Sequence, residues 1–222
     1  KNAATELREK ICAKAAQMWD VDATDVVFDG QYVRLSDERA AREQNRYLTL
    51  RDFANLCVKN IAGGDALTSH ASACLPVSPP PFMAGIAEVE VDKATGKVTV
   101  VDYAAAVDCG TVINEALARV QAEGGIAQGI GHALYEIVEH DERGRLRTGN
   151  FMSYKLPTRL DIGSIRVAFE PSYEPTGPFG AKSIGEVVIN TPLAAVASAV
   201  AHATGHQVRS LPITPEKALL GE

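Results

Sequence analysis

Residues 82–106 read FMAGIAEVEVDKATGKVTVVDYAAA, and this stretch decides the fold. Phe82 to Val91 and Lys97 to Ala106 are two strand-like runs joined at Asp92-Lys93-Ala94-Thr95-Gly96. Glu88 and Glu90 face one way while Val89 and Val91 face the other, as a half-buried antiparallel pair requires. Outward from this hairpin the periodicity changes. Upstream, Asn2 can cap a helix whose apolar positions Leu7, Ile11, Ala15 and Met18 fall at helical spacing, with a break near Asp20 to Asp22. A shorter hairpin follows, Val26 to Phe28 and Gln31 to Leu35 around Asp29-Gly30. Ser36 to Arg46 reads as a charged, solvated loop. Thr49 and Asp52 then open a helix whose apolar face, Leu50, Phe53, Ala54, Cys57 and Ile61, is stopped by Gly63-Gly64. The stretch Gly63 to Pro81 is the expected place for a sub-boundary, because Pro79 to Pro81 resist both helix and central strand.

Downstream, Asn114 can start a helix running towards Gly124, and Ala133 to Val138 reads equally as a strand or a helix end. Ser164 to Glu170 alternates as a strand. Thr191-Pro192 supplies an N-cap and a first helical residue for the alanine-rich Leu193 to Ala203, with Gly205 as the C-terminal stop. Gln207 to Arg209 reads as a last strand, and Thr214-Pro215-Glu216 begins a terminal helical turn. Alternating hairpins and capped helices predict an α+β fold in two layers, with helices on one face of a mixed or antiparallel sheet.

Composition narrows the function classes. At 222 residues with 46% hydrophobic and 23% charged side chains, the chain reads as globular, one domain or one and a half. The net charge is −6, and Lys and Arg form no basic stripe, which disfavours nucleic acid and anionic membranes as partners. No apolar run approaching the roughly 18 residues of a membrane span is evident. Cys12, Cys57, Cys74 and Cys109 form no CxxC pair and read as buried or semi-buried thiols. The first residues show no signal-peptide core, so a cytoplasmic setting is expected, as is a chain that began further upstream.

Two glycine-rich passages remain as carriers of chemistry. Gly177 to Glu186 reads GPFGAKSIGE, and Gln121 to Gly131 reads QAEGGIAQGIG. The second does not fit G-x-G-x-x-G and follows a helix rather than a strand, so it is not a dinucleotide fingerprint. Gly180-Ala181-Lys182-Ser183 ends like a P-loop, but its spacing from Gly177 is too short. The five histidines accompany no nucleophile elbow, and Gly205 separates His202 from His206. A glutamate such as Glu186 becomes a useful base when partial burial raises its pKa, and Gln121 offers two donors and an acceptor for a polar cofactor edge. The plainer alternatives are a simple connection and a carboxylate that complements a helix dipole. The residues point to a cofactor held between two glycine-rich segments, with the protein supplying one base.

At this point the chain resembles a known family. Gly180-Ala181-Lys182-Ser183-Ile184-Gly185-Glu186, Gln121-Ala122-Glu123-Gly124 with Gln128-Gly129, Tyr154-Lys155-Leu156-Pro157-Thr158 and Leu211-Pro212-Ile213-Thr214-Pro215-Glu216-Lys217 are similar, in order, to the molybdopterin-binding subunit of the xanthine dehydrogenase and aldehyde oxidoreductase family. The similarity runs from about Phe82 to the C-terminus. It implies that residues 1–222 are the C-terminal part of a molybdopterin-binding domain, and that the protein takes part in oxidative hydroxylation of a purine-type heterocycle with water as the oxygen source. Glu186 would take the proton from a molybdenum-bound hydroxide. Gln121 and Gly124 would contact the pterin, with Gln128, Lys182 and Gly185 completing the surroundings, and no side chain of this chain is expected to ligate the metal. Electrons would leave to [2Fe-2S] clusters and FAD on partner domains or subunits. The implied partners are the remainder of the molybdopterin subunit, those iron–sulfur and FAD subunits, and a small heterocyclic or aldehyde substrate, in an oligomer. Ser183 replaces a glycine common in the loop, and Val187-Val188 replace the prolines common after the glutamate. The family's glycine-rich phenylalanine loop and substrate-orienting arginine lie on segments outside this sequence, so the chain alone is expected to be inactive. Alternatives are an aldehyde oxidoreductase of the same family, a non-catalytic scaffold lobe, and a phosphate-binding module built on Gly177 to Gly185.

Overall fold

In the computed structural model, which describes residues 1–59, 67–74 and 77–221, the 82–106 stretch forms the hairpin its alternation dictates. Strand β4 (Phe82–Val91) pairs antiparallel with β5 (Val98–Asp108), and Asp92 organises the turn by accepting hydrogen bonds from Ala94 N and Thr95 Oγ1, both at 2.8 Å. The buried positions of β5 are Val98 and Val100, then Tyr103, Ala105 and Val107. The phase changes because Glu88 and Val89 stand opposite Asp102 and Val100, which leaves Val101 as the extra residue of a bulge. Strand β6 (Ser164–Phe169) joins β5 in parallel, from Asp102 opposite Ser164 to Val107 opposite Phe169. A parallel neighbour needs a long crossover, and the chain supplies it through helix α4 (Glu115–Leu134). The sheet order is therefore β4-β5-β6, a mixed sheet carrying helices on one face, as the sequence predicts.

Helices α4 and α5 (Val187–Thr204) build that helical layer, and α6 (Pro215–Leu220) adds Ala218 to the core. Tyr103, Val107, Ile126, Ile130, Val188, Val196 and Val200 are fully buried there. Both long helices depart from the sequence reading. Helix α4 does not stop near Gly124 but runs on to Leu134, because Gly125 and Gly129 are where α5 approaches: a Cβ on Gly129 would lie 2.8 Å from Pro192 Cβ and 3.1 Å from Ile189 O. Helix α5 starts at Val187, not at Thr191-Pro192, and Pro192 lies inside it. Val187, Val188 and Ile189 are β-branched and mark no helix start by propensity. Val188 is buried against Gly125, and this tertiary packing overrides the local preference. Joined in this way, α5 is by length and composition apolar enough to cross a membrane, with a mean hydropathy of 1.4 over 18 residues, which the sequence reading missed by breaking it at the proline. One face of it, Val188, Pro192, Val196 and Val200, is core. Helix α4 ends at Leu134 rather than passing into a strand, and no strand forms at Gln207 to Arg209.

Contacts divide the chain into two compact units, Lys1–Cys74 and Leu75–Glu222. The first carries α1 (Asn2–Trp19), β1 (Val26–Phe28), β2 (Tyr32–Leu35), α2 (Glu38–Glu43), β3 (Tyr47–Thr49) and α3 (Leu50–Val58). Its three strands form an antiparallel sheet in the order β1-β2-β3. The Asp29-Gly30 turn is as expected, with Gly30 at φ 99 and Asp29 Oδ1 accepting from Gln31 N and Tyr32 N. Asn2 is the first helical residue rather than the cap, which is Lys1. The stretch read as a solvated loop contains α2, capped by Asp37 and laced by the pairs Glu38–Arg42 and Arg39–Glu43. Six residues are too few to display an apolar period, and the helix is charged outside Ala40 and Ala41, of which only Ala41 is buried. Thr49 and Asp52 cap α3 reciprocally, and Phe53 and Cys57 enter a core with Ile11, Ala15 and Val33. The stop expected at Gly63-Gly64 lies outside the described residues, as does part of the 63–81 stretch. Cys57 and Cys109 are buried and Cys12 half-buried, whereas Cys74 is exposed, contrary to the sequence reading.

Candidate active site

Gln121, Gly124, Gly125 and Gln128 lie on one face of α4, at the i, i+3, i+4, i+7 spacing that brings helical residues into a row. The opposite face, Ala122, Ile126, Ile130 and Ala133, is buried in the core. Gly185, Glu186 and Ile189, from the loop before α5 and its first turn, face that row across a cleft of about 280 Å³. The two glycine-rich passages, about sixty residues apart in sequence, thus become the two walls of one cleft. Gln121 Nε2 donates to Gly185 O at 2.9 Å and ties the walls together. Its carbonyl oxygen and second N–H remain for a ligand.

Glu186 occupies the N-cap position of α5, yet its side chain caps nothing. Among the described residues its carboxylate accepts no hydrogen bond and meets no cation. It is exposed, not partly buried as the sequence reading asks of a tuned base. A carboxylate at a helix N-terminus is stabilised by the macrodipole, and its oxygens stay available to whatever enters the cleft. Gln128 is also exposed in the cleft wall, with its amide uncommitted among the described residues.

Lys182 is placed differently. Its side chain is only 8% exposed, and it does not line the cleft; Nζ donates to Asp108 Oδ2 at 2.5 Å and stands 5.3 Å from the centre of the Phe82 ring. Asp108 Oδ1 also accepts from Ser172 Oγ at 2.5 Å and from Gly110 N at 3.0 Å. The Lys182 ammonium and these donors hold the Asp108 carboxyl down at about 2, from an ordinary 3.8. The backbone follows the same path. Thr111 N donates to Gly180 O at 2.8 Å and Lys182 N to Cys109 O at 2.7 Å, so the loop adds a bridge to the end of β5. Gly110 sits at φ 70 with its α-carbon against that bridge, where a side chain would meet Gly180 O. The structure brings Gln121, Gly124, Gln128, Gly185 and Glu186 to one cleft and sets Lys182 behind it; the sequence reading missed Gly125, Ile189 and the Asp108 cluster. The spacing of Gly125 from Gln121 was a usable signal, whereas nothing local announces Asp108 as the partner of a lysine 74 residues away.

Comparison with known proteins gives the geometry its context. A family model described as molybdopterin cofactor-binding domain matches residues 1–163. This chain belongs to that family. It is 33% identical over 218 residues to the xanthine dehydrogenase molybdenum-binding subunit of Escherichia coli O157:H7, an alignment covering 98% of this chain and 28% of that subunit. It is 37% identical over 142 residues to the aldehyde oxidoreductase of Megalodesulfovibrio gigas, covering 62% of this chain and 15% of that protein. Among solved structures, quinoline 2-oxidoreductase from Pseudomonas putida 86 matches with a TM-score of 0.72 and 29% identity over 97% of this chain and 28% of that one. A Cu,Mo-CO dehydrogenase shares the fold at a TM-score of 0.75 and 23% identity, over 98% of this chain and 27% of that one. The chain therefore spans about a quarter of the length of the relatives it matches along nearly its whole length.

A molybdopterin domain needs a surface that admits a large polar ring system, and the cleft has one. A Cβ added to Gly124 would meet nothing within 4 Å, so this wall is open where a side chain would otherwise stand. Amide groups of Gln121 and Gln128 border it with donors and acceptors. Among the described residues no group of three His, Cys, Asp or Glu converges. The residues present fit the group.

Proposed function

We propose that the protein is a component of a molybdenum hydroxylase that oxidatively hydroxylates a purine-type heterocycle with oxygen from water. The observation that carries this reading is the uncommitted Glu186 carboxylate, set in the cleft opposite the amide and glycine face of α4. The similarity to a xanthine dehydrogenase subunit along nearly the whole chain supports the substrate class. When bound, the molybdopterin cofactor supplies a metal that activates water and takes up an electron pair.

The chain's own residues do the rest. Gln121 holds a polar edge of the pterin while its Nε2 keeps the two walls in register, Gln128 adds a second amide, and Gly124 and Gly185 let the cofactor approach the backbone. Glu186 accepts the proton released as water-derived oxygen adds to an electron-poor carbon, a general-base role that typically contributes about 10²- to 10⁴-fold. Burial of Glu186 is to come from the cofactor and from the remainder of the molybdopterin subunit, since the carboxylate is exposed on this chain. Iron–sulfur and FAD groups on partner domains or subunits take the electrons onward, in a cytoplasmic oligomer.

The test is Glu186→Gln in the complete holoenzyme. Turnover of hypoxanthine or xanthine falls by at least about 10²-fold while molybdenum and pterin contents stay at the wild-type level. Undiminished turnover refutes the base assignment, faster turnover of aldehydes than of purines refutes the substrate class, and a complete complex devoid of molybdenum makes this a scaffold lobe.

A further inference from the structure

The loop that leads into α5 is anchored at both ends, at the first of them by groups that do not line the cleft. At one end stand the Lys182–Asp108 ion pair, the Ser172 hydroxyl on the same carboxylate and the two backbone hydrogen bonds of Cys109 and Thr111. At the other, Gln121 holds Gly185 O, and Val188 is locked over Gly125. Only Ser183 and Ile184 separate Lys182 from Gly185, and Ile184 packs on the core. The place of the Glu186 carboxylate is therefore set by where Lys182 is held, four residues earlier.

We propose that Asp108 is a positioning residue for Glu186: its carboxylate, gripping Lys182 and Ser172, fixes the path of residues 182–186 and with it the stance of the base in the cleft. This rests on the reading of Glu186 as the base. The pair is costly to maintain for stability alone. A largely buried lysine must be desolvated, and such a pair is often no more stabilising than well-packed apolar residues of the same size, although removing one partner is expensive. What an ion pair adds is direction. Lys182 reaches Asp108 with its backbone laid along Cys109 and Thr111, and misplacing a reacting group by about 1 Å can cost about 10²-fold in rate.

The experiment compares Lys182→Met, Asp108→Asn and the double variant in the complete holoenzyme. Each single variant leaves one buried group without its partner and lowers Tm, while the double variant removes both charges and recovers most of the loss. If Asp108 positions Glu186, kcat falls about 10- to 100-fold in all three, with KM changed less than about threefold. Molybdenum and pterin contents stay at the wild-type level, because neither residue lines the cleft. Amide hydrogen exchange over residues 183–186 accelerates in all three by about tenfold or more, including the restabilised double variant. A kcat that returns to normal together with Tm in the double variant reduces the pair to a staple and overturns the proposal, as does unchanged exchange over 183–186. Glu186→Gln separates the two claims: if it turns over normally the base assignment fails, and the positioning claim is then decided by the exchange result alone.

Discussion

Replacing Gly129 with alanine tests the contact that makes the cleft. Gly129 lies on the face of α4 that meets α5, and an added Cβ would stand 2.8 and 2.9 Å from Cβ and Cγ of Pro192 and 3.1 Å from Ile189 O. Carbon pairs rest at about 3.5–4.0 Å, so the helices must separate locally by roughly 0.7 Å or more. Neither obstacle yields cheaply, since one is a rigid ring and the other is backbone. Overpacking of this kind costs about 1–3 kcal/mol, and the gain in helix propensity from Gly to Ala returns about 1 kcal/mol at most, which leaves a net loss of up to about 2 kcal/mol. For a chain of this length each kcal/mol moves Tm by about 2–4 °C, so Gly129→Ala should lower Tm by up to about 8 °C. Gly124→Ala is the internal control: its Cβ meets nothing within 4 Å, and the same propensity gain should leave Tm unchanged or raised by up to about 4 °C. Thermal unfolding followed by circular dichroism at fixed pH reads both. A Gly129→Ala protein as stable as the Gly124→Ala one would refute the close approach of α4 and α5 at this point.

Asp108 predicts an acid sensitivity. Its folded pKa of about 2 lies below the ordinary 3.8, so its contribution is fully present above about pH 4 and is lost as pH falls from about 4 to about 2. The depression corresponds to about 2 kcal/mol, and Tm measured between pH 5 and pH 2.5 should fall less steeply in Asp108→Asn than in the wild type; parallel curves would contradict the linkage. Tyr103 is fully buried, and its hydroxyl pairs with Thr191 Oγ1 at 3.1 Å across β5 and α5. Tyr103→Phe leaves the threonine hydroxyl without this partner and should cost about 1 kcal/mol, readable as a shift in the urea midpoint at constant slope.

The hairpin at residues 82–106 was legible because its cause is local: alternation of Glu88 and Glu90 with Val89 and Val91 selects a two-residue period, and Asp92 with Thr95 writes the turn. The same holds for Thr49 and Asp52, which cap α3 within three residues of each other, and for Thr214, which caps α6. The start of α5 was illegible for the opposite reason. Three β-branched residues argue against helix at Val187 to Ile189, and only burial of Val188 over Gly125 reverses the preference. Helix α2 hid because a helix of six residues with one buried alanine carries no period to read.

By itself, the sequence determined an α+β chain with a long hairpin, capped helices, two glycine-rich passages and a glutamate closing one of them. Each follows from propensities and side-chain hydrogen bonds that act within a few residues. Tertiary structure decided what the glycines are for. Those of 121–131 lie inside a helix, with Gly125 and Gly129 admitting α5 and Gly124 leaving the cleft wall open. It also decided that Gln121 meets Gly185 across 64 residues and that Lys182 turns away from the cleft to Asp108 across 74, while Glu186 is left facing it uncommitted. Such partnerships depend on which surfaces the packed core brings within about 3 Å, a distance that no local pattern in the chain encodes.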